Sequence, residues 1–286
     1  MNTQTPKGIR DFIPQQTKSF EYILGKLSNF FESCQCQKIQ TPTLEYFDSL
    51  AVGMGENLHH IAVKMLDSHG KILVLRPDHT VPIARLVASR KEELSFPLHL
   101  YYTNPIFRTH PYGIDRDVET FQAGVESIGT SGNQSDTELL SWCITSLLDL
   151  GLSDFGVDIG HVDFLQNLPT TNQKFLASND YINLGYIPER GSVACVQDSP
   201  SLCHLYEGLC KQKLDAYVSF NKGLVPPLPY YSGIIFEVYS LKNKQRLAYG
   251  GRYDHLLSRY GLDCPAIGFA LSVEALVREI DGLTCP

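Results

Sequence analysis

The segment ETFQAGVESIG, residues 119–129, constrains the fold more than any other stretch, because its apolar and polar residues alternate with period two. Such alternation places successive side chains on opposite faces of a β-strand. Phe121, Ala123 and Val125 make one face apolar, and Gln122, Gly124 and Glu126 make the other. An amide and a carboxylate then stand about 13 Å apart along the strand, at about 3.3 Å per residue. The glycine between them leaves room for a small molecule to lie against the backbone. The competing reading is an ordinary solvent face with a bulge glycine.

Neighbouring segments supply the rest of a sheet and its helices. Phe20, Ile23, Leu24, Leu27 and Phe31 recur at helical spacing and predict an amphipathic helix over 17–34. QTPTLEYFDSL reads as extended around Pro42 and then as a polar loop. KILVLRP, 71–77, reads as a short strand. DHTVPIARLVASR reads as a helix capped by Asp78 or Thr80, with Pro82 in its first turn. Residues 98–108 predict a strand broken at Pro105. Residues 136–150 predict a helix with Leu139, Leu140, Cys143, Ile144, Leu147 and Leu148 on one face and Gly151 as its stop. Residues 162–222 mix patterns and contain a helix-like piece at 201–213. After them come LVPPLPYYSGIIFE (224–237), a hairpin through 241–246, the turn-rich AYGGRYD and a last helix from about Ser272. Strands at hairpin-like spacing beside helices predict an α+β domain around a largely antiparallel sheet.

Composition narrows the function classes. The 286 residues suffice for one large domain with a sizeable core. A net charge of -7 argues against an extensive nucleic-acid footprint. No apolar run is long enough to span a bilayer, and the N-terminus has no apolar signal-peptide core, so a cytoplasmic protein is expected. The eight cysteines form no CxxC pair and read as reduced thiols. The alternative, a metal site at Cys195, Cys203, His204 and Cys210, lacks a ligand spacing.

Several polar groups could meet the Gln122–Glu126 face. LRPDHT brings Arg76, Asp78 and Thr80 to a strand end, and FRTHPYGIDRD brings Arg108 to another, ahead of a loop with Arg116. Arginine offers a permanently charged planar fork suited to a carboxylate or phosphate. Surface salt bridges and caps are the alternative for each. Arg252 of YGGRYD could equally pair with Asp254.

PKGIRDFIP, QTPTLE, LRPDHT, IFR, TFQAGVESIG, PYYSGIIFE, YGGRYD and IGFALSVEAL occur here in the order seen in the catalytic domain of histidyl-tRNA synthetase. The chain resembles that family over nearly its whole length, least over 162–222. The resemblance implies a class II aminoacyl-tRNA synthetase-like antiparallel sheet flanked by helices. Residues 1–286 would form a single domain with a helical insertion at about 162–222, dimerising through the region of Pro42. It also implies a histidine pocket. Asp78 (a glutamate in the family), Thr80 and Gln122 would hold the amino group. Glu126, Tyr230 and Tyr231 would read the imidazole, and Arg108 matches an arginine of the second class II motif. Such a site rejects isosteres by leaving buried polar groups unpaired.

Departures from the family matter as much. Pro226 stands where the family has an arginine that activates the amino-acid carboxylate, and Ala275 follows Glu274 where the family has an ATP-binding arginine. RTHPYGIDRD lacks the usual Glu-Arg pair. No anticodon-binding domain is expected after the last motif. Adenylation depends on cations aimed at developing charge, so losing two should cost several kcal/mol each. A retained pocket without those cations resembles the regulatory-subunit family of ATP phosphoribosyltransferase. That resemblance implies no chemistry in this chain and no cofactor, metal, tRNA or membrane. It implies L-histidine as ligand, a homodimer, and a hetero-octamer with the short-form catalytic subunit, which the chain would activate and render sensitive to feedback inhibition by histidine. The alternatives are a minimal histidyl-tRNA synthetase and a histidine-binding scaffold for another partner.

Overall fold

A computed structural model describes residues 3–109, 117–178, 180–226 and 228–281. Arg116, Pro227 and Cys285 lie outside the described residues. Helix α1 (Pro14–Ser33) precedes strands β1 (Gln37–Lys38) and β2 (Leu44–Tyr46), helices α2 (Phe47–Met54) and α3 (Asn57–Ile61), and strands β3 (Lys64–Leu66) and β4 (Ile72–Leu75). Helix α4 (Thr80–Ser89) leads to the hairpin of β5 (Leu98–Phe107) and β6 (Glu119–Ile128), then α5 (Asn133–Asp149) and β7 (Phe155–His161). Helices α6 (Val162–Gln166), α7 (Thr170–Ala177) and α8 (Tyr181–Leu184), strand β8 (Arg190–Gly191), helix α9 (Pro200–Lys211) and strand β9 (Val218–Asn221) follow. The chain closes with β10 (Ile234–Ser240), β11 (Arg246–Arg252), β12 (Ala266–Ser272) and α10 (Val273–Asp281).

Among the described residues the main sheet has the order β1-β5-β6-β12-β11-β10-β7-β9-β8. Its centre, β5 to β7, is antiparallel throughout. Short strands at the two sides add parallel pairs, β1 with β5 and β7 with β9. Residues 162–222 therefore contribute β8 and β9 to the sheet as well as helices. Leu165, Leu176 and Leu184 of that segment make a small apolar cluster of their own, with Val225 against it.

Period-two alternation splits the core into two layers. Ala123 and Val125 of β6 pack with Phe269 of β12 and the buried stripe Phe20, Ile23, Leu27 and Phe31 of α1. The α5 residues Leu139, Leu140, Cys143, Ile144 and Leu147 join the same layer, and Gly151 follows the helix with φ +84°. On the other side α2, α4 and the start of β5 bury Leu50, Met54, Val81, Val87, Leu98 and Leu100.

Two local expectations give way to tertiary context. Strand β5 runs unbroken through Pro105, which pairs with Phe121. The Pro105 carbonyl points away from β6, where it accepts from Arg76 Nε at 2.8 Å, so the missing N–H also faces away from the ladder and costs no ladder bond. The residues after QTPTLEY form helix α2 and not a polar loop, because Phe47, Leu50 and Met54 are buried on one side of it. A three-stranded sheet, β2-β4-β3, stands beside this helix. Among the described residues no helix is long and apolar enough to cross a membrane.

Candidate functional site

The polar face of β6 is buried against α4, which removes the solvent-face reading. Glu126 is 1% exposed and Gln122 6%. Gly124 does not leave a gap for a ligand. A Cβ there would lie 2.4 Å from the Tyr102 hydroxyl, so the absent side chain makes room for that tyrosine, whose ring stacks on His79 at 4.2 Å. Gly268 of β12, opposite Glu126, serves a similar end: a Cβ would lie 1.8 Å from Glu126 Oε2. The glutamate carboxyl occupies the space that a side chain at 268 would need.

The turn from β4 into α4 delivers the second acid. Asp78 Oδ1 accepts the Val81 backbone N–H at 2.9 Å, which caps the first turn of α4. Its Oδ2 accepts from the Tyr230 hydroxyl at 3.1 Å and faces Arg108 Nη2 at 3.8 Å. Thr80, two residues on, donates to Glu126 Oε1 at 2.7 Å. The other carboxyl oxygen of Glu126 accepts from the Tyr253 hydroxyl. Arg108, at the end of β5, is fixed by the Pro77 carbonyl at 2.6 Å and donates to the Tyr249 hydroxyl at 3.1 Å. Gln122 Nε2 donates to the same hydroxyl at 3.0 Å. The Tyr230 and Tyr231 rings are 5.1 Å apart, and Tyr230 meets Tyr253 edge-on at 5.8 Å.

Asp78, Thr80, Arg108, Gln122, Glu126, Tyr230 and Tyr231 are thus brought into one buried cluster. Beside it opens a cavity of about 360 Å³, lined by Arg108, Phe121, Gln122, Tyr249, Glu274 and Arg278 among others. Burial pushes the Glu126 carboxyl up to about 8, against the Tyr253 and Thr80 hydroxyls that favour its charge. Burial also raises Asp78, while Arg108 opposes that rise. Burial weighs against the Arg108 charge, but Tyr249 and Asp78 hold it, and its pKa lies above the usual arginine value. Among the described residues, Arg108 therefore faces one of the two buried acids, Asp78, and Glu126 is held by hydroxyls.

Three tyrosines of the cluster escaped the sequence reading. Tyr102 follows from the period of β5. Tyr249 and Tyr253 lie within AYGGRYD four residues apart, the same even spacing as Gln122 and Glu126. The arginines separate by role. Arg76 is 3% exposed and ties the carbonyls of Thr41, Pro42 and Pro105, so it faces backbone and not the cluster. Arg252 points to the opposite side of β11, where it binds Asp136, Ser135, the Thr130 carbonyl and Asp254. It is a structural tie between β11 and the start of α5. Cys203 leans on the Val196 carbonyl, and among the described residues no group of His, Cys, Asp and Glu is arranged to hold a metal.

The family model described as histidyl-tRNA synthetase matches residues 8–178 and 189–276. The chain is 33% identical to an ATP phosphoribosyltransferase regulatory subunit of Halothermothrix orenii, over 94% of this chain and 74% of the relative. It is 32% identical to the protein of that name from Halalkalibacterium halodurans, over 98% and 80%. A crystal structure from Bacillus halodurans, described as an ATP phosphoribosyltransferase regulatory subunit/histidyl-tRNA synthetase, superposes with a TM-score of 0.89 at 30% identity, covering 98% of this chain and 83% of that one. Apo histidyl-tRNA synthetase of S. aureus shares the fold at a TM-score of 0.73 and 23% identity, over 99% and 72%. These matches, over an α+β fold with a class II synthetase sheet, place the chain in the family of ATP phosphoribosyltransferase regulatory subunits, built on the histidyl-tRNA synthetase fold.

Proposed function

We propose that this chain binds L-histidine in the Asp78–Glu126–Tyr230 cluster and transmits its presence to a short-form ATP phosphoribosyltransferase catalytic subunit. The carrying observation is the buried pair of acids, Asp78 beside Arg108 and Glu126 among hydroxyls. A histidine offers an ammonium to Asp78, Thr80 and Gln122, a carboxylate to Arg108, and a ring N–H to Glu126, with Tyr230 and Tyr231 against the ring. The cation-free residues Pro226 and Ala275 support a role in recognition without adenylation. Ala275 is 5% exposed and packs into the core.

Regulation requires histidine to favour one state of the complex over another. Activation of the catalytic subunit and feedback inhibition are then two outcomes of one equilibrium. A homodimer is supported by the small sheet beside Pro42, whose register places Leu44, Tyr46 and Met65, all exposed, on one face with Leu73 and Leu75. Clustered apolar surface of this kind marks a protein contact. The expected assembly is a hetero-octamer of the two chain types.

Copurification with the short catalytic chain, followed by phosphoribosyl-ATP formation with and without histidine, tests the reading. Expected are a stable complex, activity above that of the catalytic chain alone, and inhibition by histidine. A complex whose histidine sensitivity survives Glu126→Ala would remove the cluster from the sensing role. Histidine-dependent ATP–pyrophosphate exchange by the purified chain would favour a synthetase instead.

A further inference from the structure

We propose that Glu126 and the imidazole of a bound histidine share one proton, and that the empty pocket stores this proton on Glu126. The inference rests on the histidine reading above and adds the protonic form in which the site takes its ligand.

Charge balance around Glu126 is the basis. The glutamate is 1% exposed, and among the described residues its two oxygens meet hydroxyls alone, those of Thr80 and Tyr253. The turn into α4 presents Asp78 towards it, and β5 presents Tyr102, with the His79 ring stacked behind Tyr102. The loop before β10 adds Tyr230 and Tyr231, and β11 with the turn after it adds Tyr249 and Tyr253. From β12 comes Gly268, which has no side chain. Burial holds Tyr102, Tyr230, Tyr231 and Tyr253 well above the usual phenol value, so they stay neutral. His79 is buried and neutral, with its pKa lowered to about 3 and Nε2 at 3.1 Å from the Asn104 carbonyl. Arg108 balances one negative charge and lies against Asp78. Among the described residues an ionised Glu126 would then be a second buried anion with no cation against it, which a low-dielectric site disfavours. Burial, with a smaller push from the Asp78 charge, accordingly raises its carboxyl to about 8.

The surrounding hydroxyls fit both states, since Thr80 and Tyr253 can donate to a carboxylate or accept from an acid. A histidine zwitterion adds one positive and one negative charge. If its imidazole is neutral, the proton already on Glu126 completes the pair, and the carboxyl and ring together hold one proton wherever it resides. At about pH 7.5 binding then exchanges little proton with solvent. At about pH 8.5 most pockets have lost the proton and must take one up. At about pH 5.5 the free imidazole is also protonated, and one proton leaves on binding.

Titration calorimetry of histidine into the chain, in two buffers of different ionisation enthalpy, measures this exchange. Wild type should show near-zero exchange at about pH 7.5 and uptake of most of one proton at about pH 8.5. Above pH 8 the affinity should fall about tenfold per pH unit beyond the fall seen in Glu126→Gln. The ligand ammonium contributes equally to both proteins, so their difference reads Glu126. Tyr253→Phe removes a bond that favours the carboxylate and should move the uptake to higher pH, which also serves if Glu126→Gln fails to fold. Uptake of a whole proton at about pH 7.5, or equal uptake by wild type and Glu126→Gln at the higher pH, overturns the inference. Absence of histidine binding at every pH overturns the histidine reading and this inference with it.

Discussion

Gly268→Ala is the sharpest structural perturbation of the cluster. The new Cβ would lie 1.8 Å from Glu126 Oε2, 2.7 Å from its Cδ and 2.9 Å from the Val125 carbonyl oxygen. The carboxyl has little room to retreat. One oxygen is held by Thr80 at 2.7 Å and the other by Tyr253, and the side chain is 1% exposed. Moving it leaves buried hydroxyls unsatisfied, at about 1–3 kcal/mol per group, and overpacking adds about 1–3 kcal/mol. A total loss of about 3–5 kcal/mol follows, a large share of the stability of an ordinary domain. In a Glu126→Ala background most of the clash is gone and only the approach to the Val125 carbonyl remains. The two substitutions should therefore couple by about 2–3 kcal/mol in a double-mutant cycle. Urea unfolding of the four proteins gives the cycle, with the slope of each transition checked for constancy. Additivity within about 0.5 kcal/mol would refute the claim that Gly268 exists to seat the Glu126 carboxyl.

Other predictions follow from the same contacts. Because Glu126 is raised from 4.5 to about 8 in the fold, the native state holds more protons than the unfolded chain between those values. Its contribution to stability is complete below pH 4.5 and is lost as pH rises through about 8, so Glu126→Gln should flatten the fall in stability over that window. Glu274, pushed up to about 7 by burial, adds to the same slope, and Glu274→Gln should remove its part. Arg252→Ala should cost about 3–5 kcal/mol by leaving Asp136 buried without its cation, and a midpoint shift worth under 1 kcal/mol would refute the structural tie. Tyr249→Phe frees both Arg108 and Gln122, and should weaken histidine binding by about 1–3 kcal/mol in calorimetry.

How much of the protein its sequence reveals depends on the range of the forces involved. The stripes of α1 and α5, the two faces of β6 and the cap at Asp78 are local. Each depends on residues within one or two turns, or on alternation along one strand, so periodicity and the capping residue suffice to place them. The seven residues grouped through the family resemblance do share one cluster, but spacing alone gives no contact between Thr80 and Glu126, or between Asp78 and Tyr230, which lie 46 and 152 positions apart. Three-dimensional packing also reassigned particular residues. Pro105 stays in its strand because its missing N–H faces away from the ladder. The gap at Gly124 belongs to Tyr102 because β5 lies beside β6 in that register. Arg252 turned from candidate ligand group to buried tie because α5 begins with Ser135 and Asp136 where its fork ends. Residue type and period determined which faces could carry charge. Only the tertiary structure decided which charges meet, and with two acids and one arginine enclosed in one cluster, burial set Glu126 apart from an ordinary carboxylate.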